Sequence, residues 1–300
     1  MNLDIAIIGA GPAGIAAALQ LKRFDLVPYV FEKDRIGGLL WNARRVENYP
    51  AFPEGITGAG LAIRFNNHLE TFRIPVISEA VISLDYHPQQ NCFLLATATE
   101  TYTADVAIVA SGTKPNANDI LNIVPEQLRQ YVVFEIFPIL GLTGKNIVIV
   151  GAGDIAFDYA LHLSKFQGNH ITLVYRSERI NALPLLVRRV RGIPYITLVS
   201  SAVLKKIEKG DVHPLHLTFK KDDSVISLDA DFLVGAIGRV PQTDFISPHL
   251  HELEKQLING EQFYMIGDVK NGHFRQAAIA AGNGIETAMK IYEYRNRRTR

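Results

Sequence analysis

The chain has 300 residues, 48% of them hydrophobic, which is enough for two domains with substantial cores. Its 31 basic and 30 acidic residues give a net charge of +1, which favours neither a nucleic-acid partner nor a membrane surface. The single cysteine, Cys92, excludes an internal disulfide and fits a reducing cytoplasm, and no run of about 18 apolar residues predicts a membrane span.

The first motif lies at the N-terminus. Residues 4–8 form an apolar run that predicts a buried parallel strand, and residues 15–21 predict a helix. Between them stands Gly9-x-Gly11-x-x-Gly14, the spacing of a dinucleotide-binding turn. The first glycine permits the tight turn, the second lets the backbone approach a pyrophosphate, and the third lets the helix pack on the strand. The amides and dipole at the helix start would then hold the phosphates.

An acidic residue follows at the expected distance. Glu32 ends the next apolar run, 18 residues after Gly14, where a carboxylate accepts hydrogen bonds from an adenosine ribose. Residues 35–55 are too rich in Gly, Pro and aromatics to be regular, and long loops on an α/β scaffold hold ligands. Beyond this loop the pattern predicts a helix over 60–72 and strands over 76–84, 92–97 and 105–110. The Gly/Pro turn over 110–115 marks a domain boundary.

A second fingerprint follows. A strand over 145–150 leads into residues 151–156, Gly-Ala-Gly-Asp-Ile-Ala, and then a helix over 157–165. Ala156 takes the packing role of the third glycine. Residues 109–116 are echoed by residues 234–242, so two similar domains are expected to bind two dinucleotides.

The two copies differ at the end of their second strand. Aligning residues 29–33 with residues 173–177 sets Arg176 against Glu32. A carboxylate there favours a free ribose 2′-hydroxyl, whereas an arginine suits a 2′-phosphate, and Arg179 would add a second contact. The difference predicts NADP in the second domain and an adenine dinucleotide without that phosphate, such as FAD, in the first.

The chain then returns to the first domain. A strand over 262–269 ends in Gly267-Asp268, and a helix begins near Gln276-Ala277 and continues to about residue 294. Asp268 is placed to bind a ribityl hydroxyl, and the helix start is placed near a reduced, anionic flavin. The prediction is an α/β fold of two Rossmann-like, three-layer domains, with an NAD(P)H-binding domain over 115–239 inserted in an FAD-binding domain over 1–114 and 240–300.

Taken together, these motifs resemble the low-molecular-weight thioredoxin reductase family of flavoproteins, over nearly the whole chain. The resemblance implies a homodimer with FAD and NADPH, with NADH also possible. It further implies that Asn48, Asp268 and Ala277 lie near FAD and that Gly153, Arg176 and Arg239 lie near NADPH. The residues expected to contact FAD are Gly9, Gly11, Pro12, Ala13, Gly14, Glu32, Lys33, Gly38, Leu39, Asn48, Val81, Ala110, Gly112, Gly267, Asp268, Gln276 and Ala277. Those expected to contact the nicotinamide nucleotide are Gly151, Gly153, Asp154, Ile155, Arg176, Arg179, Gly238 and Arg239. No residue is assigned to catalysis or to a metal.

The chain departs from thioredoxin reductases at the redox Cys-x-x-Cys, whose positions hold Phe134 and Phe137. These two rings either pack as core or cover the flavin, and Trp41 is a further candidate to cover it. The 2′-phosphate triplet keeps only its middle arginine, Arg176. A second branch, the thioredoxin-reductase-like ferredoxin (flavodoxin)–NADP reductases, lacks the cysteine pair.

Three functions therefore remain open. The first is an NADPH-dependent reductase of an acidic one-electron protein such as ferredoxin or flavodoxin, which would need a basic surface. Candidates for that surface are residues 44–45, residues 188–191 and the tail over 295–300. The second is reduction of a small acceptor such as a quinone or free flavin. The third is a flavin- or nucleotide-bound regulatory protein without catalysis.

Overall fold

The computed structural model describes residues 1–298, so the last two residues of the basic tail lie outside the described residues. The helices are α1 (Pro12–Arg23), α2 (Gly58–Thr71), α3 (Asn118–Leu121), α4 (Asp154–Leu163), α5 (Pro184–Arg191), α6 (Pro248–Asn259) and α7 (Ala277–Arg298). The strands are β1 (Asn2–Ile8), β2 (Pro28–Phe31), β3 (Val76–Ile77), β4 (Ser83–His87), β5 (Cys92–Ala96), β6 (Thr101–Val109), β7 (Thr113–Pro115), β8 (Val132–Val133), β9 (Asn146–Val150), β10 (His170–Val174), β11 (Ile196–Val199), β12 (Ala202–Lys209), β13 (Leu215–Lys221), β14 (Ser224–Ala230), β15 (Phe232–Gly235), β16 (Arg239–Pro241) and β17 (Phe263–Met265). Of the helices described, none is long and apolar enough to cross a membrane.

The chain divides into two compact units. Unit 1 comprises Met1–Trp41, Arg45–Lys114 and the described residues from Val240 onward, and unit 2 comprises Asn42–Arg44 and Pro115–Arg239. The division differs from the predicted domains at Asn42–Arg44, which the sequence places in the first domain. In the structure the buried Asn42 accepts the Phe137 N–H through Oδ1 at 2.9 Å, and the Arg44 N–H donates to Asp158 Oδ2 at 2.9 Å. These bonds join residues far apart in the chain, so no local pattern announces them.

Unit 1 is built on a seven-stranded sheet in the order β3-β2-β1-β6-β5-β4, with β17 also paired to β6. The strands β3, β2, β1, β6 and β17 are parallel, while β5 and β4 add an antiparallel extension. The single strand predicted over 76–84 is wrong: the chain forms the edge strand β3, turns, and re-enters the sheet at its other end as β4.

Alternate side chains of β1 fill two separate cores. Ile5 and Ile7 pack with α1 and α7, whereas Ala6 and Ile8 pack with β4, β5 and α6. A sheet covered on both faces is a three-layer arrangement.

Unit 2 is built on a parallel sheet in the order β11-β10-β9-β15-β8. Helices α4 and α5 cover one face. The other face packs on an antiparallel sheet, β12-β13-β14, which the sequence analysis did not predict. Helix α4 begins at Asp154, directly after Gly153, and not at residue 157 as predicted. The fold is α/β with two Rossmann-like units, as the sequence predicts.

Candidate functional site

The first glycine turn, residues 9–14, connects β1 to α1. Gly9 has φ +108°, and a Cβ there would lie 2.4 Å from the Ala110 carbonyl oxygen. A Cβ at Gly14 would lie 2.0 Å from the Gly9 carbonyl oxygen. Packing therefore requires both of these glycines. Gly11 differs, because no described atom lies within 4 Å of a Cβ added there. Its missing side chain leaves open space beside the start of α1.

The start of α1 is suited to an anion. Gly11 is the N-cap, and among the described residues no side chain caps the helix. Ile15 makes the first helical hydrogen bond, to the Gly11 carbonyl oxygen at 3.0 Å, so the N–H groups of the first turn point out of the helix. Unpaired amides and the positive end of the helix dipole favour a phosphate.

The second glycine turn, residues 151–156, repeats this geometry. A Cβ at Gly151 would lie 2.3 Å from the Ala236 carbonyl oxygen, and Ala156 is fully buried at the third position. Gly153 is the uncapped N-cap of α4 and, like Gly11, has no described atom within 4 Å of an added Cβ. The chain thus carries two glycine turns of the same design, one in each unit and each suited to a phosphate; they are named the first and the second cradle.

Glu32 lies beside the first cradle. Its Oε2 accepts the Ala10 N–H at 2.9 Å and its Oε1 accepts the Asp34 N–H at 3.0 Å. Each carboxylate oxygen keeps a second lone pair for a ribose hydroxyl. A cavity of about 320 Å³ opens there, lined by Glu32, Asp34, Ile36, Trp41, Ile63, Asn66, Val76 and Ser78. Trp41 is among the lining residues, and its Nε1–H donates to the Ile36 carbonyl oxygen at 2.8 Å.

The remaining parts of the first site come from distant segments of unit 1. Asn48 Nδ2 donates to Gln276 Oε1 at 2.8 Å, which joins the irregular loop to the residue before α7. Gly267 has φ +72°, and a Cβ there would lie 2.7 Å from the Ala13 Cβ. A Cβ at Gly284 of α7 would lie 2.2 Å from the Ala13 carbonyl oxygen. Small residues thus let α7 and the Gly267–Val269 turn approach the first cradle closely.

Comparison with known proteins explains why the chain carries two such glycine turns, one at Gly11 and one at Gly153. A profile of the pyridine nucleotide-disulphide oxidoreductase family matches residues 3–284. The chain belongs to this family. Members bind FAD and a pyridine nucleotide, and the two open cradles at Gly11 and Gly153 fit such groups. As a family member, the chain is an oxidoreductase with a flavoprotein fold.

Its relatives in the family include thioredoxin reductases. That of Mycolicibacterium smegmatis is 30% identical over 300 residues, covering 95% of this chain and 94% of that protein. That of Chlamydia pneumoniae is 29% identical over 303 residues, covering 95% and 96%. Lactococcus lactis thioredoxin reductase has a similar structure, with a TM-score of 0.84, 23% identity and coverage of 97% and 98%. Bacillithiol disulfide reductase from Bacillus cereus has a TM-score of 0.78, 20% identity and coverage of 98% and 99%. These two structures show the shared fold.

The structure corrects the alignment that set Arg176 against Glu32. Phe31 pairs with Ile8 and its carbonyl oxygen accepts the Gly9 N–H at 2.8 Å. In unit 2 the same place is held by Val174, which pairs with Val150 and accepts the Gly151 N–H at 2.9 Å. The counterpart of Glu32 is therefore Tyr175, which is buried, and Arg176 stands one residue further on.

The predicted basic contacts of unit 2 fall into two kinds. Arg176 and Arg179 are exposed, and neither has an ion-pair partner among residues 1–298. The Arg239 side chain is only 6% exposed, and its guanidinium lies 2.9 Å from Glu135 Oε1. Asp154 is turned toward α5, where its Oδ1 accepts the Leu183 N–H at 2.7 Å. Sequence reasoning did not distinguish these environments.

Phe134 and Phe137, which the resemblance sets at the redox-cysteine positions, are part of unit 2. Phe134 packs against Gly235, where an added Cβ would lie 2.6 Å from its ring, and belongs to the core beneath β12–β14. Phe137 begins the short helix Phe137–Ile139. Of the two roles considered for Phe134, its position favours core packing. Cys92 is buried in β5.

The other predicted contacts differ in exposure. Val81 and Ala110 belong to the two cores of unit 1, which leaves only their backbone for a ligand. Lys33 and Ile155 are exposed. Gly112 and Gly238 have positive φ, +67° and +118°, and no described atom within 4 Å of an added Cβ. Gly38 and Leu39 open the short helix Gly38–Asn42.

The sequence analysis missed Asn66 and Ser78 of the Glu32 cavity, because a single polar residue on a helix or beside an edge strand carries no motif.

Proposed function

We propose that the protein is an FAD-containing NADPH oxidoreductase that delivers electrons to an acceptor outside the chain. The carrying observation is the presence of two phosphate cradles in a chain with one buried cysteine. Unit 1 would hold FAD through the turn at Gly11, Glu32 and the start of α7. Unit 2 would hold NADPH through the turn at Gly153, with Arg176 and Arg179 at the 2′-phosphate.

Bound FAD would supply the redox chemistry, taking a hydride from NADPH and releasing two electrons to the acceptor. A redox disulfide within the chain needs two cysteines, and the chain has only Cys92. The protein's own task is to orient the two cofactors and to exclude water from them. Electrons therefore leave for the acceptor without passing through a thiol pair.

We infer that the acceptor is a small acidic one-electron protein of the ferredoxin or flavodoxin type. Supporting this is a basic stretch in unit 2: residues 179–207 contain no Asp or Glu. On α5, Arg188 and Arg191 are exposed together with the apolar Leu185. Leu185, Arg188 and Arg191 lie three residues apart, so they share one face of the helix. A basic face beside an exposed apolar residue suits an acidic partner, since charge steers the encounter and apolar burial holds it. Oxidation of one NADPH would reduce two molecules of a ferredoxin and release one proton.

The first experiment is anaerobic stopped-flow mixing of the flavin-loaded protein with NADPH. Bleaching of the flavin absorbance is expected. If the flavin is not bleached, the protein is a flavin-binding regulatory protein without catalysis. Steady-state turnover is then compared with ferredoxin, flavodoxin, a quinone, free flavin, a low-molecular-weight disulfide and thioredoxin. Turnover only with one of the small acceptors would overturn the inferred acceptor, and turnover with thioredoxin would overturn transfer without a thiol pair.

Charge reversal on α5 tests the docking face. Arg188→Glu with Arg191→Glu should raise the KM for the carrier about tenfold or more at low salt and abolish its salt dependence. Lys209→Glu with Lys220→Glu makes the same change of charge at exposed positions of β12 and β13, outside residues 179–207, and serves as the control. Equal effects of the two double variants would show that only net charge matters.

We also propose a homodimer in the cytoplasm, as the resemblance to thioredoxin reductases and the cysteine usage imply. Light scattering of the flavin-loaded protein tests the dimer: a mass near 33.3 kDa would show a monomer, and twice that mass a dimer.

A further inference from the structure

The loop between β10 and α5, residues 175–183, carries Arg176 and Arg179 and is here called the arginine loop. Two hydrogen bonds tie it to the second glycine turn. The Asn181 N–H donates to the Ala152 carbonyl oxygen at 2.9 Å, and the Leu183 N–H donates to Asp154 Oδ1 at 2.7 Å. Within the loop, Ser177 Oγ donates to the Arg179 carbonyl oxygen at 2.9 Å. Tyr175, Ile180 and Ala182 of the loop pack in the core of unit 2, and the two bonds to the glycine turn add the direct link between the loop and the cradle.

The second tie joins the N-cap residue of α5 to a carboxylate on another helix, α4. Leu183 is the N-cap of α5, and its side chain has no oxygen to accept an N–H. Pro184, the next residue, has no N–H to be satisfied. The Asp154 carboxylate accepts the N–H of the N-cap residue itself, as the acid of a capping box does. Its negative charge also suits the positive end of the α5 dipole.

The equivalent loop of unit 1 is held differently. The Gly37 N–H donates to the Ala10 carbonyl oxygen at 2.7 Å, which repeats the bond between Asn181 and Ala152. Pro12 stands where unit 2 has Asp154 and offers no side-chain acceptor. Unit 1 instead has the bond from the Ala10 N–H to Glu32, whose counterpart in unit 2 is the buried Tyr175. Without Asp154, the arginine loop would keep only one of its two ties to the turn.

We propose that Asp154 is a positioning residue that fixes the arginine loop and thereby sets the preference for a 2′-phosphorylated nucleotide. This rests on the proposed NADPH site in unit 2. Asp154 does not touch the 2′-phosphate; it holds Arg176 and Arg179 at a fixed distance from the phosphate cradle at Gly153. A carboxylate turned toward α5 also leaves the first-turn amides of α4 available to the pyrophosphate.

The test uses calorimetric titration of the flavin-loaded protein with 2′,5′-ADP and with 5′-AMP, which differ only in the 2′-phosphate. Asp154→Ala should lower the affinity for 2′,5′-ADP about tenfold, because losing one charge-assisted hydrogen bond loosens the loop. The affinity for 5′-AMP should change about twofold or less. Asp154→Asn keeps an oxygen that accepts the Leu183 N–H and should retain most of the discrimination. Asp119→Ala removes an exposed acid from the first turn of α3 and is the control.

Limited trypsin digestion gives a second reading that does not depend on nucleotide. Cleavage after Arg176 and Arg179 should become faster in Asp154→Ala and stay near the wild-type rate in Asp154→Asn. Equal discrimination by wild type and Asp154→Ala, or equal loss in the Asn and Ala variants, would overturn the proposal. If the wild type itself binds both ligands equally, the NADP part of the proposed function fails. The role of Asp154 in holding the loop is then judged separately, by the rate of digestion.

Discussion

Replacing the glycines of the first turn one at a time should separate folding from cofactor binding. Gly11→Ala adds a Cβ to open space at a residue with φ −80°, which alanine adopts without strain. We expect a loss of about 1 kcal/mol from the poorer N-cap, or a Tm lower by about 2–4 °C. Gly9→Ala forces a Cβ to 2.4 Å from the Ala110 carbonyl oxygen at φ +108°, and we expect a loss of about 3 kcal/mol or more.

The loss of FAD affinity should come from Gly11→Ala, the variant with the smaller loss of stability. In Gly11→Ala the methyl group fills the space through which a pyrophosphate reaches the start of α1, so the FAD affinity should fall about ten- to a hundredfold, as for one charge-assisted hydrogen bond. Circular dichroism melts of the flavin-free protein give the stability, because bound ligand raises Tm by mass action. Calorimetric titration of the same samples with FAD gives the affinity.

The second turn provides the matched pair. Gly153→Ala should lower the affinity for the pyridine nucleotide and leave the affinity for FAD unchanged. Gly151→Ala should instead destabilise unit 2, since its Cβ would lie 2.3 Å from the Ala236 carbonyl oxygen. Wild-type FAD affinity in Gly11→Ala would refute the assignment of the first cradle. Equal stability of Gly9→Ala and Gly11→Ala would refute the steric argument.

Three further results are expected. Arg176→Ala should weaken NADPH by about 1.5–3 kcal/mol and NADH much less, and steady-state kinetics with both nucleotides would show equal losses if the guanidinium does not meet the 2′-phosphate. Phe134→Ala should cost about 2–3 kcal/mol in urea unfolding, because its ring fills the space over Gly235; unchanged stability with faster flavin reduction would instead indicate a flavin cover. Burial lowers the pKa of His162 below 6.5, despite the hydrogen bond with the Asn42 carbonyl oxygen. The folded state therefore disfavours the imidazolium, so stability should be full above about pH 6.5 and fall as the pH drops toward the folded pKa. His162→Gln should flatten this dependence in urea titrations at pH 7.5 and 5.5, and the exposed His170→Gln should not.

The sequence by itself determined the two glycine turns, the α/β class and the acid at Glu32. Each of these features is encoded in a short stretch of sequence. A glycine pattern between a strand and a helix indicates close backbone approach, and Gly9 and Gly151 indeed approach carbonyl oxygens too closely for any side chain. The start of the last helix at Ala277 was also predictable from composition. Local patterns carry such features because the backbone contacts involved lie within a few residues of the motif.

Only the tertiary structure decided the register, the partners and the extra sheet. Tyr175 replaced Arg176 as the counterpart of Glu32 because strand register is set by hydrogen bonds to a neighbouring strand, and apolar runs resemble one another at every offset. The sheet β12–β14 is held by pairing within unit 2, and its alternating strands carry no sign of where they dock. Asp154 looked like a nucleotide contact by its place in the motif. Its carboxylate proved to accept the N–H of Leu183, the N-cap residue of α5 and 29 residues along the chain, because folding brings that donor within hydrogen-bond distance.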